Sequence, residues 1–228
     1  MKRRDFLRKS SLIVAGAACA GMGGLRPRPA WAGITTPNDF CLDIVTDQPG
    51  YAIPRIEQMI RHSALRHRTI TFEEYQLPGR HMGDIAFVRS HRLIDFRNAP
   101  DAFSRQLTDL AKALSLPRRT DTPMLLRFYT EDEAAVPHYV NILRGNVLLE
   151  RLPLAEARAA HRIEGAKASV TLVIKDRSVR IVAATCKHKT CMKLGAISRP
   201  GQSLVCIPAQ ISVALEGRDG FGVDSITF

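Results

Sequence analysis

Beyond residue 165 the chain leaves no room for a helix. Apolar and polar residues alternate over 168–174, break at Asp176-Arg177-Ser178, and alternate again over 179–183. Further short apolar stretches follow at 204–207, 211–215 and 223–228, with Pro and Gly between them. Period-two alternation sends successive side chains to opposite faces of a strand. The β-branched residues that dominate here suit a pleated, half-buried surface. An amphipathic helix needs an apolar period of 3.6 over about ten residues or more, and no interval supplies it. The segment is expected to be a small antiparallel sandwich or barrel.

Within it runs Cys186-Lys187-His188-Lys189-Thr190-Cys191, followed after fourteen residues by Cys206. Pro200-Gly201 is the central pair of a type II turn, with Pro fixing φ and Gly accepting a positive φ. That turn should carry Cys206 back towards the other two cysteines. Two chemistries fit. An oxidising compartment favours a disulfide, Cys206 with Cys186 or Cys191, which leaves His188 as a solvated loop histidine. Alternatively, Cys186, His188, Cys191 and Cys206 make a Cys3His set suited to zinc or iron. The Cys-x-His-x2-Cys spacing is also that of the first half of a Rieske box. The second box, Cys206-Ile207-Pro208-Ala209, lacks the other Cys and His that such a cluster needs. The disulfide is the main reading, with no cofactor. A zinc or iron–sulfur site is the alternative.

The residues from Val170 through Cys186-x4-Cys191, Leu194-Gly195-x-Ile197-Ser198, Pro200-Gly201-Gln202-Ser203 and Val205-Cys206-x-Pro208 resemble the NusG domain II family. The family takes its name from an insertion domain in some versions of the transcription factor NusG. The resemblance covers about residues 145–228 and implies a compact, mainly antiparallel β-barrel. It does not imply transcription, because nothing in the chain resembles the NusG N-terminal domain or its KOW module.

The first half has another rhythm. Strands are expected at 40–46, 70–75, 84–88, 93–96, 124–129 and 147–152. Ile53, Ile56, Met59, Ile60 and Ala64 share one helical face after Pro54. Phe103, Leu107, Leu110 and Leu114 line a second helix over 101–116, which Pro117 ends. A third helix is expected over 131–143, with acidic residues in its first turn and Gly145 beyond, although Pro137 falls inside it. The whole is α+β: an α/β unit over 33–144, of a type the pattern does not specify, then the β-barrel over 145–228.

No catalytic constellation emerges. His62 and His67 are five apart and do not share a helical face. His81, His91, His138 and His161 are scattered. Glu73-Glu74 and Glu131-Asp132-Glu133 read as solvated acidic runs, and Gly79-Arg80-His81-Met82-Gly83 as a loop. Ser63 and Ser90 lack a hydrolase motif. Cys41 reads as a buried small apolar residue of the first unit.

Residues 1–32 have a basic start, a small apolar stretch over 12–25, and an Ala30-Trp31-Ala32 end that fits signal peptidase. Arg3-Arg4-Asp5-Phe6-Leu7 resembles the twin-arginine export motif, a receptor-read address rather than an anchor. The apolar stretch is too short and too rich in Gly and Ala to span a bilayer, which takes about 20 apolar residues. The mature protein should begin at Gly33 and lie in the periplasm or otherwise outside the cytoplasm, with no transmembrane segment. The full chain carries 33 Lys+Arg against 22 Asp+Glu. Seven of the basic and one of the acidic residues lie in 1–32, so 26 against 21, or +5, remain. That balance gives no case for a nucleic-acid partner. The expected role is non-enzymatic: binding or assembly in the cell envelope with a protein or small-ligand partner, in the service of a redox system. The alternative is electron transfer through a metal or iron–sulfur site.

Overall fold

The computed structural model describes residues 40–131 and 135–218. The expected signal peptide, the strand at 223–228, and Asp132 and Glu133 lie outside the described residues. The strands of the first half are β1 (Phe40–Thr46), β2 (Ile70–Gln76), β3 (His81–Gly83), β4 (Ile85–Arg89), β5 (Arg92–Ile94), β6 (Arg118–Thr120) and β7 (Met124–Thr130). Five of them form one sheet in the order β2-β7-β1-β4-β5, antiparallel throughout. β3 and β6 pair separately. Among the described residues this half is therefore α+β, with antiparallel pairings in place of the parallel ones of an α/β unit.

Helices α1 (Pro49–Arg61) and α2 (Ala102–Ala113) cover one face of the sheet. Their apolar stripes, Ile53, Ile56 and Met59 on one and Phe103, Leu107 and Leu110 on the other, join Phe40, Leu42, Ile44, Leu126 and Phe128 in one core. Every residue of β1 is buried. A strand alternates faces, so Cys41, Asp43 and Val45 must be covered from the other side. The second half of the chain covers them. Asp101 caps α2, accepting from the Ser104 backbone N–H at 3.1 Å and its hydroxyl at 2.6 Å. Burial raises its pKa, but the two Ser104 bonds and Arg89 outweigh that and hold the carboxyl below its ordinary value. Asp101→Ala should cost about 1 kcal/mol in urea unfolding. Because the folded pKa is depressed, the carboxylate's contribution is present above the unfolded pKa and lost as pH falls through the folded one. An equal cost at pH 7 and pH 2 would contradict this.

The second half supplies β8 (Val136–Arg144), β9 (Val147–Pro153), β10 (Arg158–Glu164), β11 (Ser169–Lys175), β12 (Ser178–Ala184), β13 (Ala196–Ile197), β14 (Ser203–Cys206) and β15 (Ile211–Arg218). They form two antiparallel four-stranded sheets, β14-β15-β8-β9 and β10-β11-β12-β13. Val140, Ile142, Val213 and Leu215 of the first and Val170, Leu172, Val179 and Ile181 of the second meet in one core, joined by Val45, Leu77 and Leu125 from the first half. Among the described residues the barrel does not close. β9 and β10 form no ladder and meet instead through His161 Nε2 and Glu150 Oε2 at 2.8 Å.

The expected helix over 131–143 is instead strand β8. Val136, Val140 and Leu143 satisfy a helical period, yet Val140 and Ile142 satisfy the strand period equally. Its two neighbours decide it, for β15, remote in sequence, and β9, the next strand, satisfy the backbone of β8 from both sides. Pro137, which cannot donate to a ladder, sits where the β8–β15 register shifts. β10, rich in Arg and Ala, gave no apolar alternation to find.

Candidate functional site

Cys186 lies just past the end of β12. The chain then crosses Lys189 in the left-handed region, at φ 53°, and enters a 3-10 turn over Thr190–Lys193 that carries Cys191. β13 leads to the expected turn. The Gln202 N–H donates to the Arg199 carbonyl at 3.3 Å around Pro200 and Gly201, whose φ is 86°. Gln202 Oε1 also accepts from the backbone N–H groups of Ser198 and Arg199 at 3.0 and 3.1 Å. β14 returns from this turn and ends on Cys206.

The result is a cluster of three buried cysteines. The sulfurs of Cys186, Cys191 and Cys206 all lie within 4.8 Å of one another, with Cys186 Sγ 3.9 Å from Cys191 Sγ. The described cysteines are free thiols. A disulfide would draw two of these sulfurs to about 2.05 Å. The main chain at Lys189 favours the charged form of Cys186, and that at Ala209 the charged form of Cys206. Cys206 is pulled down to about 6, chiefly because the Cys191 thiol donates to its sulfur. Burial opposes this, while the Ala209 main chain and Cys186 assist. The Cys191 thiol, which donates to Cys206 and is buried, is pushed up. Burial and the neighbouring charge of Cys206 push Cys186 up as well. Three sulfurs in this arrangement offer a soft donor set.

The sulfurs line a cavity of about 150 Å³ that also takes in His188, Thr190, Met82, Asp84 and Asp43. The site therefore lies where the first half meets the second. His188 is half-buried and lines the cavity, but its ring nitrogens do not join the sulfur cluster. Thr190 Oγ1 is buried without a hydrogen-bond partner among the described residues.

Cys41 is buried as expected, but on the β1 face turned to the second half. It lies 3.9 Å from Asp43 Oδ1, packed with Tyr129 and Val205. Burial and the Asp43 charge push its thiol well above the ordinary range. Beside it is a feature the sequence reading missed. Asp43 and Arg127 face each other across β1 and β7 and join by two 2.8 Å bonds, at 5% and 1% side-chain exposure. A signal was available: one acid inside FCLDIVT and one base inside MLLRFYT, each the lone charge of an apolar strand.

The other candidates stay apart. His62 bonds the Gln58 carbonyl, His81 that of Pro78, and His161 pairs with Glu150. Glu73 accepts from Tyr129 and Gln202, and Glu131 from Thr71 and Arg199, so both join the halves. His81–Gly83 is strand β3 rather than loop. Ser63 caps a 3-10 turn, and Ser90 lies in the turn between β4 and β5.

Residues 115–219 match the family model for NusG domain II, which spans the whole cysteine cluster. Among curated proteins none matches the chain. Several solved structures resemble part of it. A DUF1312 family protein from Ruminococcus gnavus is 25% identical over 35% of this chain and 99% of its own, with a TM-score of 0.32. One from Enterococcus faecalis is 17% identical over 36% and 99%, at 0.33. The Lin0431 protein of Listeria innocua is 18% identical over 35% and 95%, at 0.32.

Proposed function

We propose, from residues 115–219 as a NusG domain II segment, that this chain is an exported cell-envelope protein acting as a non-enzymatic binding module. Its ligand-holding element is the cysteine-lined cavity, and it serves a redox or metal-handling system. The convergence of three buried thiols on one cavity wall carries this reading. Polar atoms kept from water usually have partners or a task. Here the thiols sit at the edge of the apolar core of the second half, and together with Thr190 they line a cavity. The separate twin-arginine and signal-peptidase features of residues 1–32 support the location. The family match gives no reason to place the chain on RNA polymerase.

Cell fractionation with native mass spectrometry tests both parts. The envelope fraction should contain a chain that begins at Gly33 and is heavier than its sequence by a bound component. Arg3→Lys with Arg4→Lys should leave the protein uncleaved in the cytoplasm. Cys191→Ser should be exported normally but lose the component. An intact Met1 in the envelope would overturn the cleaved signal. A bare mass shared by wild type and Cys191→Ser would overturn the binding reading.

A further inference from the structure

We infer that Cys186, Cys191 and Cys206 bind a single thiophilic metal ion, with zinc as the fitting ion and His188 as its fourth ligand. The inference rests on the binding reading above and names what the cavity holds. Sulfurs at 2.3 Å from a tetrahedral zinc lie about 3.8 Å apart. Cys186 and Cys191 stand at 3.9 Å, and all three sulfurs fall within 4.8 Å. Little movement is needed to seat an ion between them. A disulfide would use two sulfurs and strand the third, whereas one ion uses all three.

The ligand set also separates one ion from a cluster. An all-cysteine iron–sulfur cluster takes four thiolates. The remaining described cysteine, Cys41, lies beside Asp43 in another environment and does not join the group. Thiolate softness favours zinc or copper(I) over magnesium or calcium. A fourth ligand on the same cavity favours four-coordinate zinc. That ligand is His188, set between Cys186 and Cys191 on their own loop. Its ring makes no hydrogen bond among the described residues, and it lines the cavity the sulfurs line. A side-chain rotation on this exposed loop can bring an imidazole nitrogen to the ion.

The surroundings fit the charge such a site acquires. Zinc with three thiolates and a neutral imidazole is net anionic. Lys187 and Lys189 flank His188 and are exposed, while the two acids on the cavity wall, Asp43 and Asp84, are each paired with an arginine, Arg127 and Arg97. The unpartnered Thr190 hydroxyl supplies one more donor at the cavity wall.

The test is titration of the full chain, reduced and anaerobic, with Co2+ and then Zn2+. One Co2+ per chain should bind, with thiolate-to-cobalt charge transfer in the near ultraviolet and the visible bands of tetrahedral cobalt. One Zn2+ should displace it. Zinc-edge X-ray absorption should read three sulfur neighbours near 2.3 Å and one nitrogen near 2.0–2.1 Å. Cys206→Ser should weaken zinc binding by about 100-fold or more, His188→Ala by about tenfold with altered cobalt bands, and Cys41→Ser by nothing measurable. No charge transfer from fully reduced wild type overturns the inference, and so does two-sulfur coordination. An unchanged cobalt spectrum in His188→Ala overturns the fourth ligand. The wild-type spectra decide even if Cys206→Ser does not fold. A non-metal component in the native mass with no cobalt signal sinks the metal site but leaves the binding reading standing. A bare native mass sinks the binding reading itself.

Discussion

Asp43→Ala should lower the unfolding free energy by about 3–5 kcal/mol in urea titration, because it leaves the Arg127 guanidinium charged in a nearly dry site. Arg127 is 1% exposed, and its bonds are the two to Asp43 plus a longer one, 3.4 Å, to the Ser203 carbonyl. Burial acts to lower its pKa, but the facing Asp43 carboxylate outweighs burial and holds the guanidinium more firmly charged. Truncating Asp43 removes the neutralising partner and not the cost of dehydrating the base. Replacing both at once, Asp43→Leu with Arg127→Met, should recover most of the loss, since a packed apolar pair carries no such cost. A double variant no better than the single would mean the pair fixes the docking of β14 through Ser203, beyond its own charge balance. Asp43 also lines the cysteine cavity, so the single variant should disturb that wall too.

Gly201→Ala should be the most damaging glycine-to-alanine change among the described residues. A Cβ built on Gly201 would sit 1.9 Å from the Thr130 carbonyl oxygen and 3.4 Å from the Tyr129 ring, at a φ of 86°. The left-handed backbone alone costs a non-glycine residue about 1–2 kcal/mol. The overlap is with main chain of β7, which cannot swing aside as a flexible side chain could. Together they should destabilise by about 3 kcal/mol or more, read as a fall in the urea midpoint. Because this turn delivers β14 and Cys206, Gly201→Ala should also loosen the thiol cluster and make Cys206 more open to alkylation. Near-native stability would mean that the turn stands clear of the first sheet in solution.

The type II turn was legible because its requirement is local: Pro fixes one φ, Gly alone accepts the next, and no remote contact is consulted. The same holds for α2, where four apolar residues at helical spacing and Pro117 beyond agree. β8 was not legible. Its Val, Ile and Leu fit either period, and its acidic approach and Gly145 are ordinary helix punctuation. The arbiters were β15 and β9, one of them about 70 residues away. The closed barrel went wrong for a related reason: strand content follows from composition and spacing, but whether the last pair of edges joins depends on packing.

At the site the division is the same. Cys186, Cys191, Cys206 and His188 could be picked out by residue type and spacing, since soft ligands are rare and the turn between them was readable. The approach of the three sulfurs to one point follows from the way β12, the 3-10 turn and β14 pack. The Asp43 wall of the cavity comes from the other half of the chain. The sequence by itself determined the antiparallel character of the second half, the amphipathic helices, the turn at Pro200-Gly201 and the roster of thiols, because each rests on contacts within a few residues. Only the tertiary structure decided the strand identity of β8, the open two-sheet form, the Asp43–Arg127 pair and the geometry of the cavity. Each of these depends on groups remote in sequence satisfying one another's hydrogen bonds, charge and volume.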